Sequence, residues 1–331
     1  MENILVVGGA GYIGAHMCKY LKKNGYQPIV FDNLVRGHSQ AVKWGPIIQG
    51  SLSDRDILNR VFSDHPISAV MHFAAFAYVG ESVEHPARYY QNNVMETLRL
   101  LEAMVEADIR KFIFSSTCAV YGEPEKTPIL ETHPLNPINP YGRSKLMVEQ
   151  ILDDFHGAYG IEYVSLRYFN AAGADPDGDI GEDHRPESHL IPLVLKVALG
   201  QSDDIGIFGD DYPTEDGTCI RDYIHIEDLA RAHLLSLKRL LSGKTGGIYN
   251  LGNGAGYSVM DIVEMARKVT GKPIPVKTLP RRPGDPAVLV GSSRKARSEL
   301  GWYPQYPDLS TITETAWNWH RNNPMGYPAT K

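Results

Sequence analysis

Short runs of β-branched and aromatic residues recur through the first half of the chain, and each is apolar almost without interruption. They read ILVVG at 4–8, PIVFD at 28–32, AVMHFAA at 69–75, KFIFSS at 111–116 and YVSLRYF at 163–169. Between them lie longer stretches whose apolar positions step by three or four. Val94, Leu98, Leu101 and Val105, for instance, line one face of a predicted helix over 93–107. A strand without a polar face must be covered on both sides. The alternation therefore predicts an α/β fold, a doubly wound parallel sheet of the Rossmann kind.

Beyond about residue 170 the pattern changes. Gly, Pro and Asp crowd NAAGADPDGDIGEDHRPESH (170–189), as in a long loop layered over a site. A helix near 226–242, a strand GIYNLG at 247–252 and a helix near 258–270 follow, then the Pro-rich stretch KPIPVKTLPRRPGDP. The expected organisation is a dinucleotide-binding domain over 1–175, rejoined by 222–252. A smaller, interleaved and discontinuous α/β domain for substrate would take up 176–331.

Composition narrows the partners. The chain carries 33 basic and 39 acidic residues, a net charge of −6, with no basic block, which argues against nucleic acid and anionic membranes. At 331 residues it can bury roughly 75% of its unfolded surface without disulfides or a metal. Cys18, Cys118 and Cys219 are widely spaced and odd in number, which predicts inert thiols in a reducing compartment. The start MENILVVGG is not signal-like, and no apolar run reaches the ~18 residues of a spanning helix, so a cytoplasmic protein is expected.

Two motifs carry chemistry. Gly8, Gly11 and Gly14 form a turn between the first strand and a helix, where glycines permit a tight bend and the helix N-terminus offers N–H donors to a pyrophosphate. Asp32 ends the next strand, placed to accept bonds from a ribose and to repel a 2′-phosphate; this favours NAD over NADP, with Arg36 weighing slightly the other way. Thr117 follows the strand KFIFSS, and NPINPYGRSK puts Tyr141 and Lys145 one helical turn apart. A phenol with a pKa near ~10 is a poor base at neutral pH. A nearby ammonium and a cationic nicotinamide would favour its phenolate, which could then take a proton from a sugar hydroxyl.

With these residues the chain resembles the extended short-chain dehydrogenase/reductase family, and within it the UDP-glucose 4-epimerase branch. The likeness runs nearly end to end, through GGAGYIG, DNL, HFAA, VGES, NNV, FSSTCAVYG, NPYGRSK, LRYFNAAGADPDG, IFGDDYPTEDGT, RDYIH, YNLGNG and RRPGD. It implies tightly bound NAD, regenerated each turnover, touched by Gly8, Gly11, Tyr12, Ile13, Gly14, Asp32, Asn33, Ser51, Leu52, Phe73, Ala74, Asn92, Thr117, Tyr141, Lys145 and Phe169. It implies a UDP-sugar held by Thr117, Tyr141, Asn170, His189, Leu190, Phe208, Arg221, Arg282, Asp285 and Leu289, with Thr117, Tyr141 and Lys145 catalytic, and a homodimer built through a helix pair. Three positions depart from the family pattern: Ala77 stands for a lysine near the cofactor, Ser51 for an aspartate near the adenine and His189 for an asparagine.

The expected reaction is interconversion of UDP-galactose and UDP-glucose by oxidation at C4, turning of the 4-keto sugar and re-reduction. Relatives that dehydrate or decarboxylate carry an acid just after the Thr, where this chain has Cys118 and Ala119. Leu289 replaces the tyrosine of narrow enzymes, so UDP-GlcNAc and UDP-GalNAc enter as further substrates, and the stretch SSTCAVYGEP…PINPYG resembles epimerases acting on UDP-pentoses. A dehydratase or decarboxylase, a silent NAD-binding regulator and a dehydrogenase using free NAD stand as alternatives. GEDHRPESH (181–189) concentrates acids and histidines, but its spacing is not H-E-x-x-H and it is not helical, so a polar loop is expected there and no metal. His72, ending an apolar strand, is expected to be a core residue.

Overall fold

The computed structural model describes residues 1–282 and 285–328. Its first half alternates strand and helix: β1 (Asn3–Val7), α1 (Tyr12–Lys23), β2 (Gln27–Asp32), β3 (Ile47–Gln49), α2 (Arg55–Asp64), β4 (Ile67–His72), α3 (Val79–Glu84), α4 (Pro86–Tyr89), α5 (Glu96–Glu106), β5 (Lys111–Thr117), α6 (Pro140–Tyr159) and β6 (Glu162–Tyr168). The second half is built of smaller pieces. These are β7 (Asn170–Ala172), α7 (Leu190–Ala198), β8 (Ile205–Phe208), β9 (Ile220–Arg221), β10 (Tyr223–His225), α8 (Ile226–Leu241), β11 (Gly247–Leu251), β12 (Tyr257–Ser258), α9 (Val259–Thr270), β13 (Val276–Leu279), β14 (Val288–Leu289) and α10 (Leu309–Asn322).

Seven strands pair in parallel in the order β11-β6-β5-β4-β1-β2-β3. Successive side chains of a strand point to opposite faces, and here both faces are dry. Ile4 and Val6 pack with Met17, Cys18 and Leu21 of α1 and Leu229 and Leu237 of α8. Leu5 and Val7 pack with Leu58 of α2, Leu100 and Met104 of α5 and Val148 and Leu152 of α6. Each such fully buried aliphatic side chain contributes about 1.5–3 kcal/mol. The order reverses between β1 and β4, and the crevice at the carboxyl ends of those strands is where open α/β sheets bind ligands.

The smaller elements gather beyond that crevice. α7, α9 and α10 share a core of Val194, Leu195, Ile262, Val263, Ile312 and Trp317. β9 lies between β12 and β14, β10 pairs with β7, and β13 with β8. Among the described residues no helix is long and apolar enough to cross a membrane.

Two boundaries differ from expectation. The apolar run 69–75 leaves the sheet at His72, because the N–H groups of Phe73 and Ala74 both turn to the carbonyl of Val7. The helix expected over 93–107 is regular only from Glu96; Tyr90–Met95 forms a wider, π-type turn. His72 is buried and bonded to Thr97 Oγ1 at 2.8 Å, a core histidine as expected.

Candidate active site

The glycine turn closes tightly on itself. Gly8 has φ +81°, and a Cβ there would lie 2.5 Å from the nitrogen of Ala74; one on Gly14 would lie 2.2 Å from the Gly8 carbonyl oxygen. These two glycines are required by the protein's own packing. Gly11 differs, since a Cβ there would meet only the Gly8 carbonyl oxygen, at 3.4 Å, within 4 Å. It is the N-cap of α1 and supplies no side chain to the first-turn N–H groups, which therefore face the crevice as anion donors. The cradle fits a dinucleotide pyrophosphate.

Asp32 fixes this turn. Its buried carboxylate accepts from Ala10 N at 3.0 Å and Leu34 N at 2.8 Å, while burial raises its pKa. A carboxylate has about four acceptor sites, so capacity for a ribose hydroxyl remains. Asn33 is engaged in the turn, accepting from Val35 N at 3.0 Å. Arg36 is held by the Arg185 carbonyl at 2.8 Å, by Glu81 at 3.4 Å and over the Tyr78 ring. Ser51 bonds Ser53 at 2.8 Å beside the buried Leu52, and Asn92 donates to Asn93 at 2.9 Å. Ala77 is exposed and brings no charge.

The proton-transfer residues sit where β5 and α6 converge. Pro140 opens α6, and Asn139 caps it by accepting from Gly142 N at 2.8 Å. A Cβ on Gly142 would stand 2.5 Å from the Ala119 carbonyl oxygen, so this glycine lets the helix start press against the turn that follows Thr117. Tyr141 and Thr117 thereby meet. Burial pushes the Tyr141 phenol up to about 12, and a hydrogen bond with Thr117 works against that shift. Lys145 is almost wholly buried, donates to the Ser115 carbonyl at 2.8 Å and lies 4.8 Å from the Phe114 ring centroid. Burial brings its ammonium down to about 7, with Glu149 opposing.

Low-dielectric burial drives both groups toward their neutral forms. A further positive charge beside Tyr141 is needed to hold the phenolate.

Beneath Lys145 lies a network that local sequence patterns did not reveal. Glu149, one helical turn on, accepts from Ser116 Oγ at 2.6 Å and from Arg167 Nη2, and Arg167 also donates to Tyr121 at 3.0 Å. Glu149 and Arg167 are 3% and 2% exposed, so each charge depends on the other. Asn93 does similar work at the other end, donating to the Phe76 carbonyl and to Ser144 Oγ and accepting from Phe76 N. The preceding Gly and Pro signals could have flagged Gly142. No local signal could have paired Glu149 with Arg167.

On the substrate side, Arg221 ends β9, pairs with Asp285 and lies in register with Leu289 of β14. Arg282 stacks on Phe208 at 3.8 Å, while Pro283 and Gly284 of the RRPGD motif lie outside the described residues. Asn170 begins β7, opposite Tyr223, and Phe169 packs so closely on Gly291 that a Cβ there would stand 2.2 Å from its ring. Asp222 follows Arg221 in the chain. It is fully buried and accepts from the N–H groups of Asn253, Gly254 and Gly291 at 2.8–3.2 Å, tying three segments together.

Tyr12 reaches across from the glycine turn, donating to the Gly173 carbonyl at 2.7 Å. Leu190 opens α7. The imidazole of His189, expected beside the nucleotide, is engaged with Glu182 and Glu187 at 3.0 and 2.9 Å. Burial opposes its charged form, but the two carboxylates outweigh that and raise it to about 10.

Residues 4–252 match the model of the NAD dependent epimerase/dehydratase family. A UDP-glucose 4-epimerase of Halalkalibacterium halodurans is 55% identical over 98% of this chain and 97% of its own. Among solved structures, a UDP-glucose 4-epimerase from Brucella ovis in complex with NAD superposes with a TM-score of 0.94 at 50% identity, covering 96% of this chain and 98% of that one. One from Bifidobacterium longum with NAD+ and UDP gives 0.93 at 40% identity, covering 98% and 100%.

Proposed function

Since the chain belongs to the NAD dependent epimerase/dehydratase family, we propose that it interconverts UDP-galactose and UDP-glucose by reversible oxidation at C4 of the hexose. Bound NAD supplies the place to which the C4 hydride goes and from which it returns, together with the positive charge that Tyr141 lacks in the protein alone. The first-turn N–H groups of α1 would hold its pyrophosphate, Asp32 its ribose, and Tyr141 and Lys145 would face its nicotinamide.

The protein's chemical task is to move one proton. Tyr141, as phenolate, accepts it from the 4-hydroxyl, directly or through Thr117, and returns it after the 4-keto sugar has turned its other face. Lys145 stabilises the phenolate from a position fixed by Ser115. Arg221 and Arg282 grip the diphosphate through forked donors, so that the hexose can turn while the nucleotide stays. Asp285 cannot face phosphate, and serves by orienting Arg221. The domain reading follows the same division, with 1–175 and 222–252 on the dinucleotide side and 176–331 on the UDP-sugar side.

The observation that carries this reading is the residue after Thr117. Cys118 and Ala119 follow it, so no carboxyl stands where relatives that dehydrate or decarboxylate carry a second proton-transfer group. The test is to incubate purified protein with UDP-galactose, adding no cofactor. UDP-glucose should form; a product of altered mass, or a strict need for added NAD in proportion to substrate, would refute it.

Leu289 beside Arg221 leaves more room than an aromatic ring, and supports acceptance of UDP-GlcNAc and UDP-GalNAc. Exposed Val83, Met95 and Met147 lie on α3, the turn before α5 and α6, and support a homodimer formed through this apolar helical face.

A further inference from the structure

The loop between β7 and α7 gathers Glu182, His184, Glu187 and His189, whose ligand atoms all lie within 4.8 Å of one another. His184 Nδ1 stands 3.2 Å from Glu182 Oε1 and 3.5 Å from Glu187 Oε2. His189 Nδ1 stands 3.0 Å from Glu182 Oε1 and 2.9 Å from Glu187 Oε1. A tetrahedral ion with bonds of about 2.0–2.1 Å sets its donors roughly 3.3–3.4 Å apart. The His184 separations, 3.2 and 3.5 Å, bracket that edge length, and the His189 separations, 3.0 and 2.9 Å, are shorter. Sequence spacing pointed away from a metal here; the fold closes the loop and brings the donors together.

The loop is fastened from outside, and within it Glu187 Oε1 accepts from the N–H groups of Ser188 and His189, both at 2.8 Å. Tyr78 donates to the Pro186 carbonyl and Arg36 to the Arg185 carbonyl, both at 2.8 Å, and Asp183 accepts from Arg185 and from Tyr327 N, both at 2.9 Å. The Glu182 and Glu187 side chains are 5% and 2% exposed. His184 Nδ1 is buried and makes no hydrogen bond, with Glu182 Oε1 and Glu187 Oε2 at ion-pair distances of 3.2 and 3.5 Å.

We propose that Glu182, His184, Glu187 and His189 form a closed, four-coordinate structural site for a divalent transition ion of the Zn2+ class. Two imidazole nitrogens with two carboxylate oxygens suit a borderline ion, whereas Ca2+ and Mg2+ take six or more oxygens. On binding the ion, each imidazolium releases its proton; two carboxylates and two neutral imidazoles then cancel the ion's charge, so it can be buried without a residual charge. Four protein ligands leave no open position, which makes the role structural. Tyr12 stands edge-on to His184 at 6.2 Å and His189 directly precedes α7, so the ion would pin the loop between the glycine turn and the substrate side.

The test uses full-length protein, stripped by a chelator and titrated with Zn2+ and, separately, Co2+. One ion per chain is expected, with visible Co2+ bands of a tetrahedral nitrogen–oxygen site and a rise in the unfolding midpoint on Zn2+ addition. A His184→Gln/Glu187→Gln variant should lose the bands, with affinity falling beyond the about 10–100-fold that loss of a supporting hydrogen bond brings. No ion bound by the wild-type chain, equal binding by the double variant, thiolate charge-transfer bands, or equal stabilisation by Mg2+ or Ca2+ would each overturn the proposal.

Discussion

The two sides of the crevice are held by different means. Thr117, Tyr141 and Lys145 stand on a seven-residue strand and a twenty-residue helix, both packed into the sheet's core. Arg221 and Leu289 stand on strands of two residues each, and Asp285 on the loop before one of them. Rigid elements position the group that must meet a reacting proton to within a fraction of an ångström. Short strands and paired charges suffice where a flexible diphosphate is to be held and a sugar ring must stay free to turn.

The largest effect should come from the rigid side. Tyr141→Phe should fold, retain NAD and lose about 10²–10⁴ in turnover, measured as UDP-glucose formed per enzyme; near-normal turnover would remove the tyrosine from its role. Beneath it, Glu149→Gln strips Arg167 of its buried partner. The expected loss is about 3–5 kcal/mol of stability, read from denaturant midpoints. Across the crevice, Arg221→Ala should mainly raise KM for UDP-sugars and leave kcat within a few-fold. A fall in kcat without a change in KM would place Arg221 in the chemistry instead.

A smaller prediction concerns pH. Lys145 titrates near 7 in the folded protein, below its ordinary value of 10.5, so between these values the unfolded chain binds the extra proton. Stability should therefore rise with pH across that window, relative to a Lys145→Met variant that lacks the group. Parallel pH profiles for the two proteins would show that the lysine is solvated. Smallest of all, Leu289→Tyr should reduce turnover of UDP-GalNAc more than that of UDP-galactose, as measured by the ratio of kcat/KM values.

The same contrast decides what could be read from the sequence. ILVVG, PIVFD and KFIFSS became β1, β2 and β5 because a strand buried on both faces must be apolar throughout. The start of α6 was legible in Asn139, Pro140 and the Tyr141–Lys145 spacing. The two-residue strands β9, β12 and β14 have no period to detect, and Arg221, Arg282 and Asp285 were reached only through family resemblance. Glu149 and Arg167 are joined by the packing of α6 on β6, and Asp222 by segments that meet only in the fold. Such pairings leave no trace in local composition. The partners of the His189 imidazole, Glu182 and Glu187, are likewise set by how the 181–189 loop closes.

The central claim is that Tyr141 becomes a base only when bound NAD adds its positive charge to that of Lys145. It is tested most directly by titrating the phenolate absorbance of wild-type protein against Tyr141→Phe, with NAD bound and after its removal. The account predicts a tyrosine titrating well below 10 with NAD and above 10 without it. A Tyr141 titration unmoved by NAD would contradict it.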